Sequence, residues 1–375
     1  MMKTPYFKSI GLGILLLAIL SSCETDVELE APYQNTPVII GVLDLSADTQ
    51  FVRINKAFLG AGNAEEFAQI RDSSEYPPED VEAWLYKKFE GAALDSIQLE
   101  RIVKPSRDPG VFYNTDIAFY YTDQPLFTNN ELSQLQTSPE EWSYEMVAHI
   151  QGETYRAETD FPDARDGDVT RPPTPTFRVP LYSPSSDVFL SADAVFRKRR
   201  NTARYQGLIR LNFDYTREDG TTLTNQQIDF QLGIIDNQSV NNPVADGSFR
   251  YGGENWFNFV GEKLKEIPGI RKVRIENLEL RVSGANETLN TYINLAQPIS
   301  DFTPVTATFT NFDNGAIGIL GSKTTISRTF RLDEASLEQL NISELTTFGA
   351  FNPCYCVQDW TGSEYVCTES LQNCP

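Results

Sequence analysis

Along most of the chain hydrophobic and polar residues alternate in short runs, and that alternation predicts strands. In 51–58, Val52 and Ile54 take one phase and Arg53 and Asn55 the other, so one face of a strand meets a core and the other meets water. Val38–Leu43 is an unbroken apolar run of strand length. The same pattern predicts strands at Val81–Lys88, Ser96–Val103, Asp116–Thr122, Ser143–Gln151 and Tyr155–Thr159, the last two forming a hairpin across Gly152. Further on it predicts strands over 188–196, 208–215, 227–235, 272–282, 303–312, 316–321 and 327–332. Asp313-Asn314-Gly315 is a strong turn signal between two of them.

Two segments keep a different period. Phe257, Val260, Leu264 and Ile267 recur by three and four, which predicts a helix over 255–267 stopped by Pro268-Gly269. Leu289, Tyr292, Ile293 and Ala296 predict a second helix over 286–296, opened near Asn286 and closed before Pro298. Both stripes are expected to be core. Prolines 162, 172, 173, 175, 180 and 184 interrupt sheet pairing in the middle of the chain, and a linker is predicted at 163–176. The expected fold class is mainly β: two antiparallel β-sandwich-like domains, 38–162 and 177–350, the second carrying the two short helices.

The two ends of the chain carry a different kind of signal. Lys3 and Lys8 precede the apolar run Ile10–Leu20, which has the length of a signal-peptide core and is too short to span a bilayer. Leu20-Ser21-Ser22-Cys23 then reads as a lipobox, so residues 1–22 are expected to be a signal peptide and Cys23 a lipidated anchor. Glu24, Asp26, Glu28 and Glu30 follow at once; such residues cannot enter a core, and 23–37 is expected to be a solvated tether. The remaining cysteines, Cys354, Cys356, Cys367 and Cys374, crowd into a tail at 351–375. An even set in an exported protein reads as two disulfides, with Cys354 and Cys356 each paired to Cys367 or Cys374. Zinc is the other use of four thiols, but their spacings do not form paired knuckles, and no metal or other cofactor is expected.

Charge narrows the partners. A formal net charge of −21 over 375 residues repels nucleic acid, so no nucleic-acid partner is expected. Against that background stand one basic run, Arg197-Lys198-Arg199-Arg200, and one acidic turn, Asp163-Ala164-Arg165-Asp166-Gly167-Asp168. The basic run reads as a charged strand end or solvated loop rather than an anion site. Three carboxylates around a glycine invite a calcium reading of the turn, but it lacks the twelve-residue loop and terminal glutamate of an EF-hand, and a solvated turn is the simpler expectation.

No catalytic constellation is expected. The single histidine, His149, falls on the outward phase of a strand whose other phase is Met146, Ala148 and Ile150. There is no HExxH pattern, nucleophile elbow or phosphate loop. A carboxylate-based hydrolase leaves no local signature and stands as a minor alternative. A glycan binder should expose flat aromatic rings; Trp84, Trp142, Trp256 and Trp360 are spread along the chain and serve equally well as core.

Several phrases together resemble a large family of Bacteroidota lipoproteins often found beside outer-membrane transporters. They are Val38-Ile39-Ile40-Gly41-Val42-Leu43, Gly152-Glu153-Thr154-Tyr155-Arg156-Ala157-Glu158-Thr159, the helix–strand–helix after residue 254, and the run from Thr310 to Gly321. The cysteine tail departs from the usual family ending. The acidic residues behind Cys23 likewise resemble a Bacteroidota signal for display on the cell surface. The resemblance implies a β-rich extracytoplasmic protein with no established catalytic residues. The expected function is that of an accessory or interaction subunit on an outer-membrane β-barrel complex, a transporter or barrel-assembly machine; the alternative is a surface glycan or nutrient binder. The segment Gly60–Pro78, with no predicted strand, is the expected docking loop.

Overall fold

The computed structural model describes residues 34–59, 64–105, 113, 116–163, 168–237, 245–296, 309–346 and 354–356. The first half supplies β1 (Gln34–Asp44), β2 (Gln50–Leu59), β3 (Val81–Phe89), β4 (Ala92–Gln98), β5 (Glu100–Pro105), β6 (Asp116–Thr122), β7 (Trp142–Ile150) and β8 (Glu153–Asp160). Its helices are short: α1 (Ala64–Ala68), α2 (Arg71–Ser74) and α3 (Asn129–Leu135). Four small strands follow, β9 (Val169–Arg171), β10 (Arg178–Val179), β11 (Tyr182–Ser183) and β12 (Val188–Phe189). The second half is built from β13 (Ser191–Arg197), β14 (Arg204–Arg217), β15 (Thr222–Asp236), β16 (Asp246–Gly252), β17 (Ile270–Ala285), β18 (Ile317–Leu332) and β19 (Cys354–Cys356). Among these lie α4 (Gly253–Lys265), α5 (Glu287–Ala296) and α6 (Glu334–Ile342). The protein is mainly β, as its alternation predicts.

One sheet organises the rest. Its order is β15-β14-β17-β18-β1-β2-β6-β5, with β10 added beside β18 and β19 beside β17. A four-stranded sheet, β4-β3-β7-β8, and a three-stranded sheet, β16-β13-β9, stand apart from it. Two apolar cores result. In the first, Ile39, Leu43, Val52 and Ile54 of the long sheet meet Leu85, Tyr144, Met146 and Ala157 of the four-stranded sheet, and Phe312, Ala316 and Leu320 complete it from far down the chain. In the second, strands β14 and β17 are covered by Phe196, Phe249 and the face of α4 formed by Trp256, Phe257, Val260 and Leu264. Burial at that scale, at roughly 25 cal/mol per Å² of apolar surface, is the main stabilising term.

The long sheet runs through both halves because β1 pairs with β18, and it does so in parallel, Ile39 opposite Gly318. A parallel partner departs from the expected antiparallel pattern. The physical reason is connection length: β18 arrives after the whole second half, so no hairpin constrains its direction. Contact at this join is close. Gly318 sits at φ +128°, and a Cβ there would fall 1.9 Å from the Ile39 carbonyl oxygen.

Other boundaries differ for reasons that can be named. The predicted strand 96–103 is two strands in two sheets: Ile97 and Leu99 both enter the core, and the chain crosses between layers there. The predicted strands 316–321 and 327–332 are one strand of 16 residues. Its polar middle is satisfied within the fold; Ser322 donates to the Asp160 carbonyl, and Ser283 and Thr325 share a hydrogen bond of 2.8 Å. Of the predicted strand 303–312, residues 309–312 are described and are not a strand. Instead Asn311 imitates one, its side chain accepting from Leu320 N and donating to Leu320 O, both at 2.9 Å. Helix α3 was not foreseen, although Thr128 and Glu131 form a capping box at its start.

Candidate binding face

Because side chains alternate across a strand, each strand of the four-stranded sheet contributes to two surfaces. Ala83, Leu85, Tyr144, Met146, Ala148 and Ile150 point into the first core. The opposite face carries Trp84, Tyr86 and Lys88 on β3, Glu145 and His149 on β7, and Arg156 and Glu158 on β8. No described helix is packed on this face. The rings of Trp84 and Tyr86, both half-buried, are nearly parallel, 29° apart with centroids 6.4 Å from each other. That separation is close to the two-residue rise of a strand, so the pair is set by the backbone of β3.

Most of the charges on this face are paired with one another. Lys88 Nζ lies 2.6 Å from Glu158 and 3.9 Å from Glu145, and Arg156 lies 3.3 Å from Glu145. Ser143 donates to Glu158 at 2.6 Å, and Gln98 donates to Glu82 at 3.2 Å. Burial alone pushes the Glu158 carboxyl up, but the hydrogen bonds from Lys88 and Ser143 and the lysine charge outweigh it and hold the group below the ordinary glutamate range. His149 shares a hydrogen bond of 2.9 Å with Thr154 across the strand pair.

At one end the face runs into a cleft of about 540 Å³. Carboxylates dominate its wall: Glu90, Glu140, Glu141, Glu158, Asp160 and Glu287. The last belongs to the first turn of α5, so the cleft is made from both halves of the chain. Asn286 caps that helix through Leu289 N at 3.0 Å and also donates to Asp160 at 2.7 Å, which fixes the helix against the cleft. Trp142 lines the cleft as well; its indole nitrogen is buried and donates to no described residue. Among the described residues no group of His, Cys, Asp or Glu is arranged to hold a metal ion.

The chain matches no protein-family model and none of the curated proteins. What it can do is therefore read from its own surfaces.

Of the three described tryptophans, Trp142 and Trp256 are core and Trp84 alone is on the open face. His149 takes the outward phase its strand pattern predicts. The acidic turn is corrected: Asp163 and Asp168 are buried, and Arg199 clamps Asp168 with Nε 2.7 Å from one carboxylate oxygen and its other arm on the second. The basic run is a charged strand end, as expected: β13 stops at the exposed Arg197, and beyond it Arg199 turns to Asp168 and Arg200 reaches back to Glu140 at 3.3 Å. One residue of each segment, Asp168 and Arg199, thus forms an internal ion pair. Burying a carboxylate is costly unless an opposite charge accompanies it, and Arg199 supplies that charge.

The segment Gly60–Pro78 is free of strand over its described part, as expected, but it is not a loose loop. Residues 64–78 are tied to the fold: Ala68 and Tyr76 are buried, Tyr76 donates to Asn35 at 2.9 Å, and Glu75 accepts from Ala118 N at 3.3 Å. A loop that supplies core residues cannot be removed without cost. Cys354 and Cys356 lie in β19, whose backbone pairs with β17 at Lys272–Arg274. Cys23, Glu24, Asp26, Glu28, Glu30, Cys367 and Cys374 lie outside the described residues.

A second surface was missed by sequence reasoning. Strand β15 ends the long sheet and pairs only with β14 among the described residues. Ile228, Phe230 and Leu232 pack inward, while Gln227, Gln231 and Ile234 are exposed. Asp229 forms a two-pronged pair with Arg210 at 2.7 and 2.8 Å, and that arginine holds its carboxyl below the ordinary range. No lysine guards this edge, one of the usual devices against strand addition. Alternation marks a strand but does not say whether it is an edge.

Proposed function

We propose that this is a non-catalytic, lipid-anchored outer-membrane protein that acts as an interaction subunit of a β-barrel complex, a transporter or barrel-assembly machine. The anchor is Cys23, the acidic tether Glu24, Asp26, Glu28 and Glu30 sends the protein to the outer face, and the tail is closed by disulfides among Cys354, Cys356, Cys367 and Cys374. Two sandwich-like units joined through the β1–β18 pairing form the body. No helix among the described residues is long and apolar enough to cross a membrane. The observation that carries the reading is the open edge of β15: an extended segment of a partner can add to it through main-chain hydrogen bonds, with specificity from the alternate side chains. A lipid anchor raises the effective concentration of such an edge near membrane partners, so a modest interface suffices.

Purification of the full chain from detergent-solubilised membranes should bring down a barrel protein in stoichiometric amount. Replacing Gln227 and Ile234 with Lys should abolish that association while leaving the melting temperature within a few degrees, since both side chains are exposed. Co-purification that survives both lysines removes β15 as the docking edge; the absence of any barrel protein removes the reading itself. The second reading, glycan binding, is favoured by the Trp84–Tyr86 face.

A further inference from the structure

We infer that the open face of the four-stranded sheet, continuing into the acidic cleft, is a binding site for an uncharged oligosaccharide. The inference rests on the protein being a binding protein rather than an enzyme, and it uses a surface separate from the β15 edge.

Three observations converge on that ligand class. Trp84 and Tyr86 set two half-buried, nearly parallel rings in a row along β3. Aromatic faces suit the apolar C–H faces of sugar rings, as they suit any flat ligand that offers one apolar side. The hydrogen-bonding groups around them are already neutralised in pairs: Lys88 with Glu158 and Glu145, Arg156 with Glu145. Most of the charge on such a surface is balanced, Glu82 being a carboxylate with only Gln98 as its partner among the described residues, and this suits a ligand rich in hydroxyls and poor in ionic groups. The row then leads into a cleft whose wall holds carboxylates; Glu158 and Glu140 are paired with Lys88 and Arg200, while Glu90, Glu141 and Glu287 have no ion-pair partner among the described residues. Carboxylates accept from hydroxyls and repel anions, so the cleft selects against uronic acids, sulfated glycans and nucleotides.

A protein ligand would use the same face differently. Protein-docking patches centre on desolvated apolar anchors, whereas here the aromatic pair is flanked by ion pairs that would have to be stripped of water. An uncharged sugar leaves those pairs intact and can bridge to them through water.

The full chain, kept in a detergent without a sugar headgroup, should be titrated with the neutral hexasaccharides of cellulose, xylan, mannan and starch. Oligogalacturonate serves as the charged control. Calorimetry should show binding of at least one neutral oligosaccharide at micromolar to millimolar strength and none of the charged one. Trp84→Ala and Tyr86→Ala should each weaken that binding roughly tenfold or more, with the melting temperature lowered by no more than a few degrees. The doubly lysine-substituted β15 variant should bind the sugar normally, so that loss of the barrel partner and loss of the sugar are separable results. The inference is overturned if no neutral oligosaccharide binds, if oligogalacturonate binds as well as they do, or if Trp84→Ala leaves sugar affinity unchanged. It is also overturned if Trp84→Ala abolishes the barrel association instead, because the face is then a protein interface.

Discussion

Two outward sheet faces in this protein meet opposite fates. Across β18 and β1 the outer face carries Ile319 and Val42, and helix α5 lies over it with Leu289, Tyr292 and Ile293. Ile319 is wholly buried there. The approach is close because Gly321 faces the helix; a Cβ at that position would stand 3.0 Å from Leu289 Cβ. Across β3 and β7, by contrast, the outer face carries Trp84, Tyr86 and ion pairs, and no described helix covers it. The lesson is physical. Here aliphatic side chains beside a glycine gap gain by taking a helix as cover, whereas aromatic rings with polar edges and paired charges stand half-buried without one.

That contrast can be broken most severely on the covered side. Ile319→Ala removes a buried side chain beneath α5 and should cost about 2–5 kcal/mol, read as a lower urea midpoint with an unchanged slope. Asn286→Ala should be next. Asn286 is fully buried, caps α5 and bonds Thr159 at 2.9 Å, so its loss leaves several polar groups unsatisfied, a cost of about 1–3 kcal/mol in the same measurement. The open face should be far more tolerant. Trp84→Ala forfeits only half-buried contact and cross-strand pairing and should cost about 1 kcal/mol or less, even while it alters binding. A cost as large as that of Ile319→Ala would mean that Trp84 is core and the faces do not differ.

The smallest effect concerns pH. Glu158 has its folded pKa depressed below the unfolded value, so its stabilising contribution is present above the ordinary glutamate pKa and is lost as pH falls through the folded one. With a side chain about half-exposed, the pair with Lys88 is screened, and the loss should not exceed about 0.5 kcal/mol. Comparing wild type with Lys88→Met by chemical denaturation from neutral to acid pH should show the difference between them shrinking towards acid. A difference that grows there runs against the assigned pair.

Local pattern was a good guide wherever neighbours in sequence decide the outcome. The phases of 51–58 and of Met146, Ala148 and Ile150 predicted which side chains are buried, the spacing of Phe257, Val260 and Leu264 predicted α4, and the hairpin turn at Gln151 and Gly152 falls where positive φ is needed. It was a poor guide to β3. There Ala83, Trp84, Leu85 and Tyr86 are all apolar, so no phase stands out, and Lys87 on the buried side is explained only by Glu131, 2.8 Å away on α3. Nor does any local feature link Asp168 to Arg199, since each by itself reads as a solvated charge.

The sequence by itself determined the β-rich class, the two helical stripes, most strand positions, and the outward placing of His149, because periodicity records how each residue stands relative to its immediate neighbours. Only the tertiary structure decided that β1 joins β18 in parallel, that 96–103 splits between two sheets, that β15 ends the long sheet among the described residues, and that Trp84 is half-buried on an outer face while Trp142 is core. Those outcomes depend on what covers a face or continues an edge, and the covering group comes from elsewhere in the chain: α5 over Ile319, Phe312 closing the first core, Arg199 neutralising Asp168. Burial and charge pairing are collective, so the residue that settles another residue's environment leaves no trace in that residue's own surroundings in sequence.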